Sequence, residues 1–464
     1  MPPLSISSTL ILLPKHLTNY RIVMNATKLL IFLAGLPFLF ASLYSNAQGQ
    51  TPDHETPART LIHAGTLIDG YSDDVRSQVT ITIEGDEITA IENGFRGATE
   101  GEHLIDLSSH TVMPGFIDLH VHFEATTGPT AYMDRFTMNE ADYAFRAAHF
   151  AKITLEAGFT TVRDLGGNHV NTSLRNAINQ GLAVGPRMLS VGKSLATTGG
   201  HADPTNGWRR DMVDDPGPDR GVLNGVSEAR QAVRNAYKQG ADHIKITATG
   251  GVLSLAASGQ NAQFFMDELE AIVQTANDYG MHVAAHAHGQ EGMLRAVEAG
   301  VHTIEHGTYM DETVMRAMVE RGTFYVPTIT AGKWVAEMAE VDGYYPEVVR
   351  PKALEIGPLI QNTFAEAYRY GVPIAFGTDA GVFPHGLNAR EFEYMVEAGM
   401  PAMEAIKSAT TVAAGVLGLE NQIGSIRPGM QADIIAVSGN PLEDILILQE
   451  MGFVMKGGVV YKSE

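Results

Sequence analysis

Across residues 60–112 the apolar positions fall in short alternating runs: TLIHAGTLIDG, then SQVTITIEGDEITAIENG, then HLIDLSSHTVMPG. That period of two is the pattern of half-buried strands, and the Gly-Asp and Asn-Gly pairs between them punctuate turns. The far end of the chain repeats the same character in IGSIRPGMQADIIAVSG and FVMKGGVVYKSE. Two β-rich ends around a different middle predict one small β-sandwich domain built from both termini, residues 58–112 with 420–464.

In the middle, short apolar runs alternate with amphipathic stretches. The runs at 116–122, 160–164, 187–191, 243–249, 283–286, 303–306, 324–327 and 374–379 read as strands. Between them SEARQAVRNAYKQG, MDELEAIVQTANDYG and EGMLRAVEAG read as helices, each closed by a glycine. Eight strand–helix alternations predict an α/β fold, a (β/α)8 TIM barrel over residues 113–419. No repeat of solenoid length interrupts this reading.

The first 47 residues are of another kind. They carry Lys15, Arg21 and Lys28 but no acidic residue. From Met24 onward Lys28 forms a charged start, residues 29–43 an apolar stretch and Ser45-Asn46-Ala47 a small-x-small site, the layout of a secretory signal peptide. Residues 1–47 are therefore expected to be a leader whose true start is Met24. The stretch is too short and too broken by Pro and Gly to span a bilayer, which takes about 20 apolar residues. An exported protein, periplasmic or secreted, without stable membrane insertion is expected. Its loss takes the formal charge from −21 to −24, a surface that repels nucleic acid. With no cysteine in the chain, thiol nucleophiles, disulfides and cysteine-held metals are excluded.

Chemistry concentrates at the C-terminal ends of the predicted strands, where barrels carry their active sites. In PGFIDLHVHF, His120 and His122 lie two apart on a strand and share a face. HIKIT places Lys245 within an apolar strand, where a lysine tends to lose its proton. HVAAHAHG brings His286 and His288, TIEHG brings His306 and AFGTDAG brings Asp379. Each alone could be a packed core residue. Together, at one end of consecutive strands, they predict a metal centre.

The segments MPGFIDLHVH, TTVRDLGG, TTGGHADP, KITATGGVLS, AAHAHG, TIEHG and GTDAG match, in order and spacing, the amidohydrolase superfamily. Within it the chain resembles dipeptidases and amidases related to imidazolonepropionase, to prolidase-like enzymes acting on Xaa-Arg/Lys or Xaa-Pro dipeptides, and to ochratoxin-hydrolysing amidases. The resemblance implies two divalent metal ions, zinc foremost, with His120 and His122 on the more buried ion and His286 and His306 on the other. It further implies that Lys245, carboxylated on its amine, bridges the two, and that Asp379 ligates the first ion and bonds the bridging hydroxide. Homo-oligomers are usual among such relatives. Desolvation favours the neutral amine that carboxylation needs, paired metals activate a shared water, and Asp379 would act as base and then acid.

His288 shares the face of His286 and is a candidate to polarise the scissile carbonyl or to support a ligand. The loop SLATTGGHADP offers Gly199, Gly200 and His201 as a cradle for a substrate carboxylate. Asp118 is expected to orient the first histidine pair, and Arg163 with Asp164 to form a structural pair beneath the site. His385 lies near by loop position without an assigned role. The expected reaction is hydrolysis of an amide bond in a small substrate, a dipeptide or N-acyl amino acid, ochratoxin-like amides included. The acidic surface slightly favours a cationic leaving residue. Hydrolysis of a cyclic amide, as by imidazolonepropionase, and a non-catalytic metal-binding envelope protein are the competing expectations.

Overall fold

A computed structural model describes residues 59–464; the expected leader, residues 1–47, lies outside them. The chain begins with four strands, β1 (Arg59–Ile68), β2 (Val75–Glu84), β3 (Glu87–Asn93) and β4 (Glu102–Pro114). Seven short ones follow: β5 (Phe116–Val121), β6 (Phe159–Asp164), β7 (Arg187–Ser190), β8 (Ile244–Thr247), β9 (Val283–Ala287), β10 (Thr303–His306) and β11 (Phe324–Val326). The last three are β12 (Ile434–Ser438), β13 (Phe453–Lys456) and β14 (Val459–Ser463).

Strands from the two ends join in one seven-stranded sheet, ordered β14-β13-β12-β4-β1-β2-β3. A two-sheet sandwich was expected; instead the long β4 pairs with β1 through most of its length and with β12 at its end, so one ladder runs across both termini. Val79, Ile81 and Ile83 of β2 pack with Val112, Ile434 and Phe453. The alternating Thr80 and Thr82 are buried as well, Thr80 donating to Gly94 O.

β5-β6-β7 and β8-β9-β10-β11 form two parallel sheets. A Leu195–Ile246 bridge joins the segment after β7 to β8, while Tyr325–Ile374 and Val121–Ala380 bridges insert residues 374–380 between β11 and β5. The result is TIM-barrel-like, with strands buried on both faces and helices between them. The eighth expected strand, 374–379, is not regular. The Phe376 amide turns away to Ser408 O, the Thr378 amide to the Asp118 carboxylate, and Asp379 has φ +62°. The Asp379 amide still donates to His120 O at 2.7 Å, so the segment stays tied to β5 while the left-handed backbone turns the Asp379 side chain toward the histidines.

Candidate metal centre

His120 near the end of β5, His122 just beyond it, Lys245 in β8, His286 in β9, His306 at the end of β10 and Asp379 meet at one end of the strands. Asp379 Oδ1 lies 3.4 Å from His120 Nε2 and 3.3 Å from His122 Nε2. Lys245 Nζ is 3.3 Å from His120 Nε2. Ligand-capable atoms of His120, His306 and Asp379 lie within 4.8 Å of one another, as do those of His286, His288 and His306.

Each imidazole has one nitrogen engaged by the surrounding protein and turns the other toward the cluster. His120 Nδ1 donates to Glu305 (2.8 Å) and His122 Nδ1 to Gly166 O (2.8 Å), which leaves both Nε2 lone pairs facing inward. His288 Nδ1 and His306 Nδ1 contact the hydroxyls of Thr308 (2.9 Å) and Thr328 (2.8 Å). His286 is reversed: its Nε2 donates to Gly250 O at 2.9 Å, leaving Nδ1 free. Burial, with the Lys245 charge, pushes the His122 pKa down to about 4, and burial, with His201 and the Lys352 and Lys245 charges, takes His288 to about 3. The rings are neutral donors. Burial lowers the Lys245 pKa and raises that of Asp379, although each group's charge favours the other's. Asp379 Oδ1 has no hydrogen-bond partner although it is buried. A buried carboxylate oxygen facing unprotonated imidazole nitrogens and a lysine amine is the donor set a divalent cation requires.

Buried hydrogen bonds hold the donors on a strained backbone. His306 (φ +72°), Thr328 (+51°) and Asp379 (+62°) all sit in the left-handed region, unusual without glycine. Asp379 is held because buried Asp118 accepts from His120 N, Thr378 N, Thr378 Oγ1 and Asn388 Nδ2, tying the two segments together. Asp118 was expected to orient the first histidine pair; it takes a backbone amide, and the His120 ring is oriented by Glu305. Arg163 does not pair with Asp164. Its guanidinium reaches Glu305 at 3.0 Å and Leu119 O at 2.7 Å, whereas Asp164 accepts from Phe123 N and Asn171. Thr328 is fixed by Glu391, which accepts the amides of Ile329 and Thr330 at the start of the helix Ile329–Ala339. Sequence reasoning missed Glu305, Thr328 and Glu391. Only the first had a signal, as an acidic residue beside a candidate ligand in a predicted strand.

A cavity of about 160 Å³ opens above the cluster. His201 and His288 line it together with an apolar wall of Val252, Leu253, Val335, Ile356, Ile360 and Val382. Gly199 and Gly200 are not brought to it. Their amides are used by Asp203 Oδ2 and Thr197 O at 2.8 Å each, and the His201 amide by Gln263, because the loop closes on itself as a tight turn. The expected backbone cradle is thus occupied. The His201 ring does arrive, stacked 4.4 Å from His286 with Nδ1 unpartnered. Among the described residues lining the cavity, Asp379 is the one carboxylate. His385 packs between Phe123 and Phe150, outside the cavity.

A TIM-barrel-like fold with histidines, a lysine and an aspartate at its strand ends defines a hydrolase of the metal-dependent barrel class. The amidohydrolase family model matches residues 111–462, and the chain belongs to that family. It is 34% identical over 432 residues to ochratoxinase of Aspergillus niger, covering 87% of each chain. Among solved structures it is similar to a Xaa-Pro dipeptidase with bound methionine in the active site, at 53% identity and TM-score 0.85, over 87% of this chain and 100% of that one. A prolidase complexed with N-methylphosphonate-L-proline matches at 32% identity and TM-score 0.80, over 88% and 100%.

Proposed function

We propose that this amidohydrolase cleaves the amide bond of small dipeptides that carry an uncharged aliphatic side chain, Xaa-Pro dipeptides foremost. The observation that carries this reading is the apolar cavity standing directly over the polar cluster. A cavity of about 150 Å³ holds a single benzene ring, so the space here suits one side chain of methionine size. The similarity to a dipeptidase holding methionine supports the same class.

His120, His122, His286, His306 and Asp379 would hold two divalent ions, zinc foremost, together with Lys245 once its neutral amine has taken up carbon dioxide and released a proton. When bound, such ions polarise a carbonyl and make water a better nucleophile. Asp379 accepts the proton of the attacking water as the C–O bond forms, then returns it to the departing nitrogen as the C–N bond breaks. His288, held by Thr308, faces the carbonyl oxygen and stabilises the charge that develops there. His201 borders the substrate from the other side.

The test is a panel of dipeptides, N-acyl amino acids and lactams offered to zinc-reconstituted protein, with free amino acids quantified. Turnover of aliphatic Xaa-Pro dipeptides is expected. Lactam opening without dipeptide cleavage, or bound metal without any turnover, would overturn the proposal.

A further inference from the structure

Two residues of the apolar wall, Val252 and Leu253, come from a segment that lacks ordinary support. Among the described residues, 251–259 make no backbone-to-backbone hydrogen bond; the ladder stops at the Thr249–Ala262 bridge and the Gly250 N to Asn261 O bond. Side chains hold the segment instead. The Lys352 ammonium donates to three of its carbonyls, Gly251 at 3.2 Å, Ser254 at 2.8 Å and Ala256 at 2.7 Å. Tyr132 Oη donates to Leu253 O at 2.7 Å.

Lys352 has three protons and spends all three on this one strap. It stands on the helix Arg350–Tyr370, which also supplies Ile356 and Ile360 to the wall. Val252 and Leu253 pack against a cluster that includes Val335 and Ile356, which gives the strap an apolar landing place but no register along it. The three charge-assisted bonds supply the register. They also bring Gly251 against His201: a Cβ at Gly251 would fall 2.1 Å from that ring, so the strap sets both the wall and the His201 position.

We propose that Lys352 is a positioning residue for substrate selectivity, pinning residues 251–259 so that Val252 and Leu253 complete the side-chain wall over the cleft. The kinetic consequence rests on the dipeptidase reading; the structural one does not. Releasing the pin lowers the share of molecules with the wall in place, and apparent affinity falls by the same factor.

Two measurements on the zinc-reconstituted full chain test this. Hydrogen exchange read by mass spectrometry should speed up within 251–259 in Lys352→Met, with the rest of the barrel unchanged and zinc content retained. Lys352→Arg should restore part of the protection. In steady-state assays the KM for methionyl-proline should rise about tenfold relative to that for glycyl-proline, which has no side chain to reach the wall, and kcat should move less than KM. Tyr132→Phe should shift both readouts the same way by less, which covers failure of the lysine variant to fold. Unchanged exchange in 251–259 overturns the proposal, as does an equal KM rise for both substrates. Absence of any dipeptide turnover defeats the dipeptidase reading and leaves the exchange result to decide on Lys352.

Discussion

Replacing Glu305 with glutamine separates two tasks that one buried carboxylate performs. Its Oε2 accepts from His120 Nδ1 and its Oε1 from Arg163 at 3.0 Å, with both partners 1% exposed and Glu305 fully buried. A carboxamide cannot satisfy both. If its oxygen turns to His120, its NH2 group meets the Arg163 donors. If it turns to Arg163, the NH2 group forces His120 into the tautomer whose Nε2 proton points at Asp379 and Lys245. At 3.0 Å and an effective dielectric constant of 20, the ion pair attracts by about 5.5 kcal/mol, and removing one partner of a buried pair costs about 3–5 kcal/mol. Glutamine keeps one neutral bond, so a loss of about 3 kcal/mol in urea unfolding of the metal-free protein is expected. Zinc affinity by competition with a chelator should fall about 10- to 100-fold, the usual cost of losing a group that orients a ligand. The double variant Glu305→Met with Arg163→Met should regain much of the stability, since neither charge is stranded, yet keep the zinc defect. A Glu305→Gln protein less than about 1 kcal/mol weaker than wild type, with unchanged zinc affinity, would refute the assignment of both tasks.

Lys245→Ala should lose turnover and retain one zinc or fewer per chain by metal analysis, because the amine proposed to take up carbon dioxide and help hold the ions is gone. Asp379→Asn should keep most of its metal and lose at least about 10²–10⁴-fold in kcat, since the amide cannot accept a proton. His243, buried with both ring nitrogens unpartnered, has a pKa lowered to about 3, chiefly by burial. The unfolded chain therefore binds the extra proton below about pH 6.5, and stability present above that pH is lost on acidification. Metal-free wild type should lose about 2 kcal/mol more than His243→Leu between pH 8 and pH 5 in urea melts. Protein recovered from the periplasm of a bacterial host should begin near Gln48 by N-terminal sequencing; a mature chain starting at Met24 would contradict the leader.

The histidines and Asp379 stand out in the sequence because they fall at or near the ends of predicted strands, and Lys245 because it interrupts an apolar one; a barrel gathers these positions into one place. What surrounds them is harder to read. Glu305 and His306 are neighbours on one strand, and a period of two separates their faces; only the fold reveals that Glu305 points inward at a ring from β5. The Gly199-Gly200-His201 loop looks like an anion cradle because glycine exposes amides, but Asp203 and Thr197 take those amides first. Asp118 and Thr378 are 260 positions apart, so the bond that holds Asp379 in a strained conformation has no local signature. Lys352 looks like any surface lysine on a helix until the strap carbonyls, roughly a hundred residues earlier, are seen around it.

The seven-stranded sheet has a consequence for how the molecule is made. β4 finds its antiparallel neighbour β12 only when Pro114 meets Ile434, with the whole barrel translated between them. Until then β4 has a bare edge, a template for pairing with another unfinished chain. A premature stop a few dozen codons from the end would leave every donor of the metal centre encoded and still yield a protein prone to aggregate. Non-local closure of this kind is also slow, so the last thirty or so residues to be synthesised set the pace at which the molecule becomes safe from its own copies.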